Sequence, residues 1–222
     1  MKQIFTLFVL LSMFSFATAQ AQTKIGIRAG MNNATWKGDA AQTLNDLVSV
    51  TKGYVDTRGK AGFHVGGYVN FPLSEVISIE PGLYYSQKGY ALKGDIEISK
   101  LNFLGANANL EVQSHYIDLP LLIKITPVKG FQLFAGPQIS YMVKNNMNFN
   151  AGVLGFSVIN RNIDITDQFN NIDAALVGGA GYKFDNGFSI TASYDHGLSR
   201  LDKKENFKSY NRVIKVGLGF EF

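Results

Sequence analysis

Eight times between Lys24 and Phe222 the chain alternates an apolar residue with a small, polar or charged one over roughly ten positions. A period of two sends successive side chains to opposite faces of a strand. About 9 to 11 residues is also the length a tilted strand needs to cross a bilayer. The pattern predicts strands at 24–31, 61–71, 77–88, 112–125, 131–144, 173–184, 188–197 and 211–222. One face carries Ile25, Ile27, Phe63, Val65, Leu83, Leu119, Leu121, Ile123, Leu133, Ile139, Leu176, Ile190 and Leu218. The other is rich in glycine and in charge of both signs: Lys24, Arg28, Glu80, Lys88, Asp118, Lys124, Lys144, Lys183, Asp195, Lys215 and Glu221.

The connections alternate too. Short turns at 72–75, 127–130 and 185–187 contrast with long polar segments at 32–60, 90–111 and 145–172. An even number of strands with short turns on one rim and long loops on the other predicts an all-β fold, an eight-stranded antiparallel up-and-down transmembrane β-barrel with short periplasmic turns and long extracellular loops. Within the first loop Ala40, Leu44, Leu47 and Val48 predict a short amphipathic helix. In the third, Val153, Leu154, Phe156, Val158 and Ile159 predict a hairpin that prolongs the flanking strands.

Met1 and Lys2 precede an apolar run from Ile4 to Phe16 and the small residues Ala17-Thr18-Ala19. That run is too short to span a membrane as a helix and reads as a secretory signal peptide at 1–19, leaving a barrel domain at 20–222. The chain has no cysteine, so neither disulfides nor thiolate metal sites contribute to the fold. Its net charge of +4 contains no lysine or arginine block, which argues against a nucleic-acid partner.

Alternation alone leaves open which face meets lipid. Phe71, Phe131, Phe184, Phe188 and Phe222 lie on the apolar face beside short turns or the C-terminus, as in an interfacial aromatic girdle. Tyr85, Tyr141 and Tyr194 supply a second ring toward the long loops. A Lys or Arg at the bilayer midplane costs about 2–4 kcal/mol on the lipid face, so the charged face points into the lumen, which eight strands leave just wide enough for side chains to fill. Pro81, Pro120 and Pro137 fall inside strands, where each removes a ladder donor, and predict bulges or rim positions.

The blocks "IEPGLYYSQKG" (79–89), "YIDLPLLIK" (116–124), "FAGPQISYM" (134–142), "GGAGYKF" (178–184) and "YDHGLSRL" (194–201) resemble the PorT-like outer-membrane β-barrel family of the Bacteroidota, over essentially the whole segment after residue 19. The resemblance implies residence in the cell outer membrane. The C-terminal strand also resembles the signal read by the barrel-assembly machinery, with Lys215, Gly217, Phe220 and Phe222 at its specified positions.

Candidate chemistry is sparse. Asp195, His196 and Ser199 are the one grouping that suggests a lipid-modifying enzyme, but a spacing of three sends His196 and Ser199 to opposite sides of a strand. His64 and His115 have no carboxylate at ligand spacing, and no metal or cofactor motif is present. Gly178-Gly179-Ala180-Gly181 lacks the helix and acidic residue of a dinucleotide site and reads as space in a narrow lumen. Glu80, Asp118, Lys124 and Lys215 line either a salt-bridged plug or a narrow path for ions or small solutes. The sequence therefore predicts a non-catalytic barrel in contact with outer-membrane lipid, structural or partner-binding through its extracellular loops.

Overall fold

The computed structural model describes residues 23–38, 55–96, 106–153, 156–203 and 209–222. The predicted signal peptide and the predicted helix at 40–48 lie outside these residues. Among the described residues nine strands follow in order: β1 (Lys24–Gly38), β2 (Val55–Pro72), β3 (Ile77–Ile96), β4 (Ala106–Val128), β5 (Phe131–Val153), β6 (Phe156–Asp164), β7 (Ile172–Lys183), β8 (Phe188–Gly197) and β9 (Ser209–Glu221). All pairings are antiparallel. Eight strands close a ring, β1-β2-β3-β4-β5-β7-β8-β9, sealed where Gly26 of β1 faces Glu221 of β9. Closure leaves this ring without an edge. β6 stands outside it, paired to the distal half of β5 while the proximal half pairs with β7.

The faces follow the alternation. Ile25 is 60% exposed, Leu218 64% and Phe222 71%, whereas Asp118 and Ser140 are 0% exposed. The wall therefore turns its apolar side chains outward and its charges inward, the arrangement of a membrane barrel. Phe131, Phe184, Phe188 and Phe222 ring the short-turn end of the outer surface, with Phe188 and Phe222 each packed edge-on against Phe220. Tyr141 and Tyr194 lie exposed toward the other end. The turns are closed by Gly130 and Gly187, whose φ of +84° and +88° suits glycine, and by Ser74, whose hydroxyl accepts from the Ile77 amide at 3.0 Å.

Some sequence expectations need correction and one is met. Most strands run beyond their predicted ends: β1 continues past Met31 to Gly38, β3 past Lys88 to Ile96, and β5 past Lys144 to Val153, so much of each long loop is strand. Past the tyrosine ring the pattern is lost: Ala34, Val112, Met142 and Val213 are buried alongside Asn32, Ser114 and Asn145, and Asn33 is exposed alongside Val143. Water replaces lipid there, so an apolar outer face is no longer required. The predicted hairpin is the β5–β6 pair, antiparallel from Asn146↔Asp164 to Val153↔Phe156 with a register shift between Ala151 and Gly152.

The prolines mark no bulge. The register is unbroken across them, but two rungs are missing beside each: 69–70/80–81 between β2 and β3, 82–83/119–120 between β3 and β4, and 121–122/136–137 between β4 and β5. The gap always lies on the side of the preceding strand, where each proline lacks its N–H. Real bulges occur elsewhere. One of them, at Val143, turns Lys144 to the outside although its parity predicts the lumen.

Candidate functional site

The lumen is where the charged residues meet, and it is packed in layers. At the periplasmic end Glu221 of β9 takes Lys183 of β7 as partner, with Lys24 of β1 at 3.9 Å and the Asn70 amide at 3.4 Å. An open vestibule of about 510 Å³, bordered by Lys24, Asn70, Gln132 and Lys183, leads to this layer and ends at Lys124. Above it Glu80 of β3 bridges Lys124 of β4 and Arg28 of β1, the latter at 3.0 Å. Arg28 also donates to the Tyr84 hydroxyl at 3.1 Å and lies 4.5 Å over the Tyr68 ring.

The next layer centres on Asp118, fully buried on β4, which accepts from Lys88 at 2.9 Å and Lys215 at 3.2 Å. Lys215 reaches Asp195 at 2.7 Å, and Lys88 donates to Ser140 at 3.0 Å while facing the Tyr116 ring at 4.5 Å. Asn32 joins His64 at 2.7 Å, and Asn211 donates to Asp173 at 2.8 Å. A cavity between Arg28 and Lys215 measures only about 40 Å³, room for about one water. At the extracellular end Trp36 stacks on Tyr90 with centroids 5.5 Å apart and meets Phe169 at 5.6 Å, and Leu201 and Ile165 are buried.

The sequence brings Glu80, Asp118, Lys124 and Lys215 to one face, and the structure joins them through Arg28, Lys88 and Asp195 into ion-paired layers. The aromatic filling was the missed part. Tyr68 faces Gly26 across the β1–β2 ladder, Tyr84 faces Gly66, and Phe134 faces Gly179. A methyl group at Gly26 would fall 2.3 Å from the Tyr68 ring, and one at Gly179 would fall 2.6 Å from Phe134. Glycine opposite an aromatic is thus the readable signal: in "GGAG" the space at Gly179 belongs to the Phe134 ring.

The remaining candidates stay apart. Asp195 is buried in the lumen while His196 is exposed on the opposite face, edge-on to Tyr194. The Ser199 hydroxyl accepts from the Ala174 amide at 2.9 Å. His115 is held by the Tyr85 hydroxyl at 2.5 Å on the outer wall. Among the described residues no three His, Asp or Glu side chains are grouped to hold a metal ion. Outside the membrane, Asp164 is held below the usual carboxylate range by hydrogen bonds from the Thr166 hydroxyl and amide, and Lys129 is raised by its bond to Asp185 at 2.8 Å.

With an outward apolar wall, two aromatic rings and an ion-paired interior in place, the sequence match is decisive: residues 18–203 fit the family described as outer membrane protein beta-barrel domain. The chain belongs to that family. It is an outer-membrane protein, as the wall requires. No curated protein sequence matches it significantly. Among solved barrels, Neisserial surface protein A is 10% identical, with a TM-score of 0.49 over 91% of this chain and 100% of that one. Ail, the attachment invasion locus protein of Yersinia pestis, is 15% identical, with a TM-score of 0.45 and the same coverages. The N-terminal barrel domain of Pseudomonas aeruginosa OprF is 13% identical, with a TM-score of 0.42 over 90% of this chain and 100% of that one.

Proposed function

We propose that this barrel is a non-conducting, non-catalytic platform that offers an open sheet edge to a protein partner outside the cell. The observation that carries this reading is β6. Among the described residues it pairs with β5 alone, where β5 has parted from β7 but still pairs with β4, so its second edge has no strand partner among them. Such an edge accepts an added strand through main-chain hydrogen bonds. The filled lumen supports the non-conducting part, because ion pairs and aromatic rings occupy the space a pore would need. The blocks quoted above support placement in the PorT-like branch of the family. The pattern of Lys215, Gly217, Phe220 and Phe222 supports recognition of β9 by the barrel-assembly machinery.

A photoreactive residue at Arg161 or Ile163, both exposed on β6, tests the edge in intact cells. The expected result is a discrete protein adduct that the same probe at lipid-facing Leu218 does not give and that proline at Asn162 or Arg161 abolishes. Equal labelling at β6 and Leu218 overturns the reading. Planar bilayers containing the heat-shiftable protein are expected to stay silent, and stable conductance steps would establish the narrow channel instead.

A further inference from the structure

The outer wall carries its own charge pattern, independent of β6. From Phe131 to Tyr141 the strand advances ten residues, which at about 3.4 Å each and a tilt near 40° gives roughly 26 Å along the axis. That equals the height of the apolar band of such barrels, about 25 Å, so Tyr141 marks the outer interface. Between the two aromatic rings the outward faces of the described strands carry no charge. Charge begins immediately above.

On one flank the bulge at Val143 sends Lys144 outward beside His115, its cross-strand partner in register. On another flank His196 of β8 faces Arg212 of β9, also in register and one step above Tyr194 and Ile214. Each place thus joins a permanent cation to an imidazole at headgroup level. Lys144 has no ion pair among the described residues; the Asp164 carboxylate on the neighbouring hairpin is engaged by Thr166 at 2.9 and 2.6 Å. Arg212 is pinned by one nitrogen, Nη1, to the carbonyls of Gly197 at 2.7 Å and Asn211 at 2.8 Å. Its Cζ lies 5.9 Å from the Tyr210 ring, and Nε and Nη2 have no hydrogen bond among the described residues; a guanidinium fork suits a phosphate.

We propose that the His115–Lys144 and His196–Arg212 pairs are two seats for phosphate groups of outer-leaflet lipid, gripping the headgroup from the side while acyl chains lie along the apolar wall below. The chemistry required is a phosphate held at the interface by an amphiphile. Below the first seat the chains would meet Ile117, Ile139 and Tyr141, and below the second Tyr194, Ile214 and Val216. Without the bulge Lys144 would enter the lumen, so the irregularity in β5 is what creates the first seat.

Native mass spectrometry of the full-length protein, with lipid A and dephosphorylated lipid A added in parallel, reads the prediction. The phosphorylated lipid is expected to remain bound in up to two copies and the dephosphorylated lipid to be lost, a comparison that needs no variant. Lys144→Gln and Arg212→Gln are each expected to remove one copy, with roughly tenfold weaker retention, and the double variant to remove both. Lys144→Arg is expected to keep binding. Each variant is checked for folding by its compact migration before boiling. Equal retention of the two lipids by the unaltered protein, or two copies on the folded double variant, overturns the proposal.

Discussion

Asp118→Asn isolates the contribution of the lumen charges. In the native barrel Asp118 pairs with Lys88 and Lys215, and the Asp118 and Lys88 side chains are 1% and 2% exposed. Removing the carboxylate charge affects the two lysines unequally. Lys215 keeps Asp195 at 2.7 Å. Lys88 keeps the Ser140 hydroxyl at 3.0 Å, the Tyr116 ring at 4.5 Å, a neutral amide oxygen and a longer-range attraction to Asp173. A buried charge stripped of its counter-ion costs about 3–5 kcal/mol, and the ring face offsets part of that, so the low end, about 3 kcal/mol, is expected.

Urea titration of the detergent-folded barrel, scored by gel migration, measures it. With a slope of about 2 kcal/mol per molar the midpoint falls by about 1.5 M. Two companions fix the interpretation. Lys88→Met added to Asp118→Asn is expected to recover most of the loss, because it removes the stranded cation. Asp185→Asn breaks a pair of similar length, Lys129–Asp185 at 2.8 Å, but its side chains are 83% and 79% exposed, so its midpoint is expected to stay put. If Asp118→Asn and Asp185→Asn behave alike, the lumen is hydrated and screened, and the reasoning for a plug fails with it.

Pro137→Val returns an N–H to the rungs missing between β4 and β5 and is expected to stabilise the barrel by about 0.5–1.5 kcal/mol in the same titration; a lower midpoint would mean that the gap is shaped for proline. Gly179→Ala is expected to destabilise, since the methyl meets Phe134 at 2.6 Å, whereas Gly178→Ala, with nothing within 4 Å, is expected to be tolerated. Asp164 has a depressed pKa in the fold, so its stabilising contribution is present above the ordinary carboxylate pKa near 4 and is lost as pH falls through the lower folded value. Proteolysis of segment 165–171 is therefore expected to rise below pH 4, and Asp164→Asn to show that susceptibility already at pH 6.

How much of this could be read from the chain depends on what each residue faces. Between Phe131 and Tyr141 lipid touches every outward side chain, so the alternation is strict and the strands could be placed with their faces. The lumen charges could be placed for the same reason: Glu80 and Asp118 had one tolerable side. Their pairing could not, because register and shear decide whether Lys88 meets Asp118, and neither is written in a period of two. The proline gaps illustrate the same limit. Pro81, Pro120 and Pro137 announce three missing donors, but only the ladder shows that each gap faces the preceding strand.

Beyond the tyrosines the constraint lapses. Asn33 and Lys144 can face outward only where water or a headgroup meets them, and Ala34 and Met142 can turn inward because the lumen there is capped by Trp36, Tyr90 and Phe169. A reader who follows apolar-outward alternation stops at Met31 and at Lys144 and labels the remainder loop. The strand itself does not stop, because ladder hydrogen bonds are indifferent to which face is oily. The loss of the pattern is therefore a depth marker: the residue at which polar side chains first turn outward is where the wall leaves the hydrocarbon. On β5 that change coincides with the bulge at Val143, which ties the height of the membrane to the irregularity that sets Lys144 at its surface.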